Sequence, residues 1–392
     1  MSHSTTPTLS PAHQQRLLAL LAALIDQAQA RVLVPPYAAA PGYWFGGGNL
    51  ARDDAGTIWL AGRYRNAGDS RTGLEAGARG LECALFRSDD GGATFQKARS
   101  WSKTDLSAAG PRVISIEGTA LYRTPARGWE LYISAEREEP YPSPWEEYQK
   151  PGTGVWSIGY LAAPRPDELD PAHLTPVLNG RNQPEYLHVK DPVVFHLPGD
   201  TASATGRRAN GPAPASATAL IFCSHPFTWA SSNSGLAVRH AGADSFEVVS
   251  WEMASRGAAW DIAATRITSR LPIPRVGAFA GLPPAAIYFY DGAECLRPHE
   301  ENVRARKRPR GYSCEEIGGA FFGWDSDFPK LTRLSTLQPL FISPHGTGCS
   351  RYVDVLPTPN GLLATWQQGQ ADGSQPLVGH FLPADEIARL LA

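Results

Sequence analysis

A pattern of short apolar strands separated by turns recurs five times along this chain and constrains its fold more than any other feature. The repeats lie at residues 49–87, 118–161, 192–239, 262–324 and 351–382. Their strands are apolar almost throughout, as expected where both faces of a sheet are covered. Repeats of roughly 60 to 70 residues that each form a small antiparallel sheet are typical of an all-β β-propeller, with five blades as the favoured number. A pair of unrelated β-sandwiches is the alternative.

The composition supports a turn-rich β protein and excludes several other classes. The 392-residue chain contains 38 Gly, 34 Pro, 11 Trp, 13 Tyr and 14 Phe but two Met, which is unlike a helical bundle. Apolar residues at 42% supply a core and exclude wholesale disorder. The formal net charge of −2 gives no whole-chain attraction for nucleic acid or anionic lipid, and no apolar run is long enough to span a membrane. A neutral polar ligand fits this balance better.

The N-terminal segment reads as a helix that precedes the strands. Ser10 followed by Pro11 matches an N-cap and a first helical residue, which predicts a helix running to about Ala30. The pattern changes to strands after two consecutive prolines at 35 and 36. We therefore divide the chain into a helical segment at 1–36 and a single propeller domain at 37–392.

The compartment is inferred from this segment and from the cysteines. The apolar stretch 17–25 is either a packed helix or part of a signal peptide; Asp26 and the long segment before the stretch favour the helix. Widely spaced cysteines without a CxxC pair indicate a reducing compartment. They are Cys83, Cys223, Cys295, Cys314 and Cys349. We predict a cytoplasmic protein, or a periplasmic one if 17–25 belongs to a signal peptide.

One short motif is specific. Residues 88–95 read Ser-Asp-Asp-Gly-Gly-Ala-Thr-Phe and fit the pattern S-x-D-x-G-x-T-[FW]. In such a turn the Asp90 carboxylate and the hydroxyls satisfy backbone donors, glycine supplies left-handed positions, and Phe95 holds the turn to the sheet. That role is structural, so Asp90 is not a catalytic candidate. The turn resembles the Asp-box, or BNR repeat, of sialidase-like propellers.

Other segments resemble known propeller enzymes more broadly. Residues 50–63 resemble the opening blade of sialidases, and Lys190-Asp191-Pro192 resembles the K/R-D-P step of five-bladed glycosidases of the arabinanase/β-xylosidase and invertase types. Glu117-Gly118 is similar to the E-G step that those enzymes use for their acid. The resemblance implies a five-bladed glycoside hydrolase-like protein.

Three acids stand where the innermost strands of the blades are expected to begin, around one mouth of the axial channel: Glu117, Asp191 and Asp261. Glycoside hydrolysis needs a protonated acid and an ionised base or nucleophile, and burial beside a like charge raises one of the two pKa values. We predict Glu117 as the general acid, Asp261 as the base or nucleophile, and Asp191 as the group that orients and tunes them. Alternatively, these acids cap strands or pair with Lys190 and Arg266.

The sequence departs from the glycosidase pattern in two respects. Its acids run Glu, Asp, Asp along the chain, whereas the similar enzymes run Asp, Asp, Glu. Asn49 stands where those enzymes place an Asp, unless Asp53 or Asp69 serves. These departures put the role of each acid in doubt.

Side chains near the same mouth are candidates for binding the substrate. Aromatic residues beside the glycines at 46–48 can stack on a sugar face, although a core Trp is the plainer interpretation. Arginines can form forked hydrogen bonds with the acidic group of a sugar. The predicted set is Trp44, Asn49, Arg63, His225, Arg351 and Tyr352. A sialidase-type pocket would use Arg63, Arg275, Arg351 and Tyr352, but Asn49 and the preceding glycines occupy the place of the sialidase R-I-P motif.

Three functions follow as hypotheses. The first is a glycoside hydrolase acting on an oligosaccharide. The second is a polysaccharide lyase acting on a uronate, with His225, Tyr312 and Arg63 as candidates, and the third is a non-catalytic sugar-binding propeller. We predict no nucleic-acid or membrane partner and no cofactor, although a cation bound in the axial channel stays open. The sequence does not determine the oligomeric state.

Overall fold

The computed structural model describes residues 7–66, 80–124, 128–197, 217–226, 231–294 and 316–392. Within these ranges the strands form five antiparallel sheets, of which four have four strands and one has five, because two short strands share its innermost position. The predicted all-β fold and its five blades are confirmed. Predictions that concern Asp69, Cys295, Tyr312 and Cys314 lie outside the described residues.

The blades follow one another along the chain, and the strands of each run from the innermost outwards. The first has β2 (Trp44–Gly46) and β3 (Leu50–Arg52), both paired with β4 (Ile58–Arg65), then β5 (Glu82–Ser88) and β6 (Gln96–Ser102). The second has β7 (Val113–Thr124), β8 (Gly128–Arg137), β9 (Val155–Ala163) and β10 (Thr175–Asn179). The third has β11 (His188–His196), β12 (Thr218–His225), β13 (Asn233–Arg239) and β14 (Glu247–Ala254). The fourth has β15 (Ala264–Pro272), β16 (Ala285–Ala293), β17 (Ile317–Trp324) and β18 (Thr332–Arg333). The fifth has β19 (Ser350–Thr358), β20 (Gly361–Gln368), β21 (Leu377–Pro383) and β1 (Arg31–Val34).

The two ends of the described chain share the fifth blade, because β1 pairs antiparallel with β21 as the outermost strand. The predicted division at residue 36 stays a prediction about domains, although β1 lies on its helical side. The helix α1 (Pro11–Leu24) begins as predicted, with the Ser10 hydroxyl accepting from the His13 backbone N–H at 3.2 Å. It ends before Ala30 because the Asp26 carboxylate accepts two backbone N–H groups and turns the chain into β1.

Helices cover one edge of the ring. The leucines of α1 are buried against the fourth and fifth blades, where α1 also contacts α3 (Ala384–Leu390). The short α2 (Lys103–Leu106) follows β6 and carries a capping box. Among the described helices, none is long and apolar enough to cross a membrane.

The central strands are buried on both faces because neighbouring blades pack against each other. Every residue of β12, β13, β16 and β17 is buried. Between the third and fourth blades, for example, Ile221 and Leu236 join Tyr288 and Phe321 in one apolar cluster. This packing explains the nearly continuous apolar runs in the sequence.

The turn at 88–95 has the predicted structural role. The Asp90 carboxylate accepts from the backbone N–H groups of Ala93 and Thr94 at 2.9 and 3.0 Å and from the Thr94 hydroxyl at 2.6 Å. The Ser88 hydroxyl accepts from the Gly92 backbone N–H. The Thr94 hydrogen bonds hold the pKa of Asp90 below its usual range. These bonds connect β5 to β6 at the end of the blade away from the acids.

Five polar side chains close the ring near its axis. Each hydrogen-bonds the backbone of the following blade, and the fifth-blade member returns to the first blade. They are Asn49 to Leu121, Ser134 to Asp191, Ser234 to Ile267, Asp291 to Tyr352 and Asp354 to Leu50. Because each bond joins strands that are remote in sequence, the set fixes how the innermost strands lie around the channel.

The buried Asp354 predicts a specific pH dependence of stability. Burial raises the pKa of Asp354 to about 7, and the Leu50 N–H offsets only part of this shift. The folded protein therefore holds a proton that the unfolded chain releases near pH 4, so this group's contribution to stability is lost as the pH rises from about 4 to 7. We expect Asp354→Asn to flatten the fall in the free energy of unfolding over this window, by up to about 4 kcal/mol. Urea unfolding at several pH values measures it; parallel curves for the variant and the wild type would contradict it.

Candidate active site

The innermost strands of four blades each contain a bulge, and these bulges position the candidate site. The register shifts lie between Ile116 and Thr119 in β7, Lys190 and Val193 in β11, Ile267 and Ser269 in β15, and Arg351 and Asp354 in β19. In the first blade the corresponding strand breaks between β2 and β3. A bulge re-aims the side chain that it carries. Glu117, Asp191 and Tyr352 all lie in these bulges.

Two of these residues have a strained backbone. Asp191 and Tyr352 each have a φ of 53°, and no other non-glycine residue in the described ranges has a positive φ. Left-handed φ values at such residues cost roughly 1–3 kcal/mol and cluster at functional sites. The two strained residues are therefore the first indication from the backbone that the bulges serve a ligand.

The structure brings Glu117 and Asp191 together, although they belong to different blades. Both are less than a tenth exposed, at 6% and 7%. One carboxylate oxygen of Asp191 accepts from the backbone N–H of Gly118, the neighbour of Glu117, at 3.0 Å. The buried Ser134 hydroxyl donates to the Gly118 carbonyl at 2.6 Å and accepts from the Asp191 N–H at 3.2 Å. One serine thus holds both acidic bulges.

Glu117 forms a buried ion pair. Its Oε2 lies 2.7 Å from Nη2 of Arg63, whose side chain is 1% exposed. A guanidinium at this distance favours the ionised carboxylate. The predicted role of Glu117 as a protonated acid is therefore not favoured, whereas a role as base or nucleophile is.

Arginines from the fourth and fifth blades complete the cluster. Arg266 contacts Glu316 and places Nη1 3.8 Å from Oδ2 of Asp191, while Nζ of Lys190 lies 3.9 Å from the same oxygen. Nη1 of Arg351 lies 2.6 Å from Glu316. Burial alone would raise the pKa of Glu316, but the two guanidiniums hold it well below its usual range. Glu316 precedes a third strand rather than an innermost one, and from the sequence it could either add an acid to the channel or offset the basic run at 304–310.

Tyr352 lies between two of these guanidiniums. Its hydroxyl is 3.5 Å from Nη2 of Arg63, and its ring centroid is 5.7 Å and 5.2 Å from the guanidinium carbons of Arg63 and Arg351. Its backbone N–H donates to the Asp291 carboxylate at 3.0 Å. Burial, reinforced by Asp191, raises the pKa of Tyr352, so the phenol keeps its proton at neutral pH. The sequence analysis predicted no role for Asp291, because this residue follows the apolar run in the second strand of the fourth blade.

Trp44 contacts arginines. Its ring centroid is 4.2 Å from the guanidinium carbon of Arg65 and 4.4 Å from that of Arg351. Gly47, beside it, has a φ of +69°, and a Cβ there would lie 3.5 Å from Nε of Arg63. We call Trp44, Arg63, Glu117, Asp191, Arg266, Glu316, Arg351 and Tyr352 the axial cluster.

Two predicted substrate-binding residues have their polar atoms engaged elsewhere. Both ends of the Asn49 amide bond the backbone of Leu121, at 2.7 and 2.9 Å. Nδ1 of His225 donates to the Ser231 carbonyl at 2.9 Å, and its Nε2 lies 3.4 Å from the Cys223 sulfur. Burial lowers the pKa of His225 well below its usual value. These contacts correct the expectation that Asn49 and His225 face a ligand.

The structure does not place Asp261 in the axial cluster. Its fully buried carboxylate contacts Arg333 of β18, the outermost strand of the fourth blade, and accepts from the Tyr290 hydroxyl at 2.9 Å. The reason is local: β15 begins at Ala264, so Asp261 lies in the preceding turn and its side chain contacts β16 and β18 of the fourth blade. Arg275 is also outside the cluster, exposed in the β15–β16 connection, whereas Arg266 lies within it, 3.8 Å from Asp191.

Among the described residues, no group of three or more His, Cys, Asp or Glu side chains could hold a metal ion. The ion pairs of the axial cluster instead join acids to arginines. The predicted absence of a metal site remains a prediction.

Comparisons with known proteins extend the fold assignment. No family profile matches the sequence, and no curated protein matches it. Solved structures do match. The protein BT0996, solved in a complex with RGII, is 10% identical, with a TM-score of 0.55 over 96% of this chain and 97% of its own.

Two further matches are similar in extent. A Parabacteroides distasonis protein ascribed to the glycoside hydrolases is 13% identical, with a TM-score of 0.53 over 90% of this chain and 96% of its own. A GH43 β-xylosidase/α-arabinofuranosidase from a compost metagenome, solved with xylotriose, is 9% identical, with a TM-score of 0.51 over 91% and 96%. At these identities the likeness establishes the fold: this chain is a five-bladed propeller with glycoside hydrolases among its structural neighbours.

Proposed function

We propose that this protein is a glycoside hydrolase that cleaves a glycosidic bond of an oligosaccharide at the axial cluster. The observation that carries the proposal is the meeting of Glu117 and Asp191 beside Arg63. Two carboxyl groups with different surroundings are what this reaction requires. The fold of the structural neighbours is consistent with it but does not decide the reaction.

The surroundings of the two carboxyls suggest their roles. The Arg63 ion pair keeps Glu117 ionised, which suits a base or nucleophile. Oδ2 of Asp191 has no hydrogen-bond partner among the described residues, which leaves this oxygen available to a leaving group. We therefore assign Glu117 as base or nucleophile and Asp191 as acid, and Asp261 takes no part.

Ser134 provides a prediction with a matched control. Removing its hydroxyl frees both acidic bulges, so we expect Ser134→Ala to lower kcat roughly tenfold, equivalent to about 1.4 kcal/mol of misplaced transition-state contacts. Ser88 makes a comparable buried bond, accepting from the Gly92 backbone N–H in the turn at the end of the blade away from the acids. Ser88→Ala should cost a similar free energy of unfolding, about 1 kcal/mol, while kcat is retained. Equal kcat losses in the two variants would show that Ser134 has no special link to catalysis.

The turn at 88–95 supports a further proposal, that it is a sialidase-type Asp-box. We do not extend this to sialidase activity, because Arg275 lies outside the axial cluster. A lyase is also less well supported, because both ring nitrogens of His225 are engaged. A cytoplasmic location stays a proposal from the sequence.

A turnover screen tests the proposed function. Aryl glycosides and neutral and acidic oligosaccharides are incubated with the full chain, and products are analysed by reducing ends and ultraviolet absorption. Hydrolysis gives new reducing ends without absorption, and a lyase gives an unsaturated, absorbing product. Binding without any turnover would favour the sugar-binding propeller and contradict the hydrolase.

A further inference from the structure

The axial cluster has more unpaired donors than acceptors. Among its buried polar atoms, those without a hydrogen-bond partner include Nε and Nη1 of Arg63, Nε of Arg266 and Nε1 of Trp44, all donors. Oδ2 of Asp191 is the unpaired acceptor among them. A buried donor without a partner costs roughly 1–3 kcal/mol, so such a set in a native fold calls for an explanation. The donors require a group that accepts hydrogen bonds.

The charges of the same region agree with this count. Arg63, Lys190, Arg266 and Arg351 face the carboxylates of Glu117, Asp191 and Glu316, each paired with a cation. The neighbouring Asp291 is fully buried, and burial raises its pKa well above the usual value, so it adds no compensating charge. Buried His188 and His225 are neutral because burial lowers their pKa values. With all three carboxylates ionised, these four cations exceed the acids by one positive charge.

We propose that the axial cluster binds a sugar residue that carries a carboxylate, with Arg63 and Arg266 as its main contacts. A carboxylate only accepts hydrogen bonds and matches the planar guanidinium fork. A carboxylate offers about four lone-pair sites to these donors, whereas a single sugar hydroxyl offers two. Nε of Arg266 makes no hydrogen bond within the described residues, which leaves it available to a ligand. The inference rests on the proposed function, because it places the sugar at the axial cluster. Measurements of binding test the inference even if the protein turns over no substrate.

Matched pairs of sugars test the inference. Calorimetric titration of the full chain compares D-galacturonate with D-galactose and D-glucuronate with D-glucose, and N-acetylneuraminate is the arm that separates a nonulosonate from a hexuronate. We expect at least one acidic sugar to bind at least tenfold more tightly than its neutral counterpart, or N-acetylneuraminate to bind where no neutral sugar does. Equal affinities within both pairs, or no binding of any of the five sugars, would overturn the inference.

Variants connect the preference to the cluster. Arg266→Met should abolish the preference for the acid, and Arg266→Lys, which keeps the charge, should retain part of it. Arg275→Gln, at the exposed arginine outside the cluster, should keep it fully, and thermal unfolding verifies that each variant is folded. A preference that survives in folded Arg266→Met contradicts the inference. If the protein binds an acidic sugar but turns over no substrate in the screen, only the proposed hydrolase function is overturned. If it hydrolyses neutral glycosides alone, only the proposed carboxylate preference is overturned.

Discussion

Glu117→Gln is expected to lower kcat by roughly 10²–10⁴-fold on the best substrate of the turnover screen, while the protein stays folded. The amide keeps the size of the side chain and can accept from Arg63, but it can neither take up a proton nor act as an efficient nucleophile. Steady-state kinetics and thermal unfolding of the same preparation measure the two properties together. Retained kcat in this variant would remove Glu117 from the chemistry.

The leaving group distinguishes the two proposed roles. A general acid matters less when the departing phenol is already acidic, so Asp191→Asn should recover most activity on dinitrophenyl glycosides. Glu117→Gln should be impaired on activated and unactivated glycosides alike. The opposite pattern would exchange the two assignments.

Arg333→Met is expected to lower the free energy of unfolding by about 3–5 kcal/mol, because it leaves the Asp261 carboxylate buried without its cation. Arg333 also donates to the Tyr290 hydroxyl and the Ser255 carbonyl. Both partners are uncharged, so neither can replace the cation beside Asp261. Denaturant unfolding measures the loss.

Two further variants show whether Asp261 is structural. Asp261→Asn combined with Arg333→Met should recover most of the stability, since no buried charge remains. Asp261→Asn alone should keep kcat within about twofold, because the carboxylate contacts Tyr290 and Arg333 and no residue of the axial cluster among the described residues. A loss of kcat as large as that of Glu117→Gln would return Asp261 to the active site.

The five blades were predictable because each is a local unit. The three apolar strands of a blade follow one another with short turns, so their pattern is visible in a single window of sequence. The outermost strand β1 was not predicted, because its four residues follow a helix and its partner β21 lies at the other end of the chain. Closure of the ring is a long-range event that leaves little local pattern.

The site was predictable only in part. Glu117 and Asp191 lie inside innermost strands, within short motifs that resemble glycosidases. The prediction for Asp261 was wrong because it assumed that the innermost strand begins directly after this residue. The strand begins at Ala264, and this difference changes the direction of the Asp261 side chain. Arg266 was considered only as a pairing partner of the acids, and that is the contact it makes with Asp191.

A double-mutant comparison tests the central claim, that two blades contribute one carboxyl each to a single site. Values of kcat are measured for Glu117→Gln, Asp191→Asn and the double variant on one unactivated glycoside. If the two groups act as a unit, the double variant loses little more than the more damaged single variant. If the two losses multiply, the groups act independently and the account of a shared axial site is contradicted.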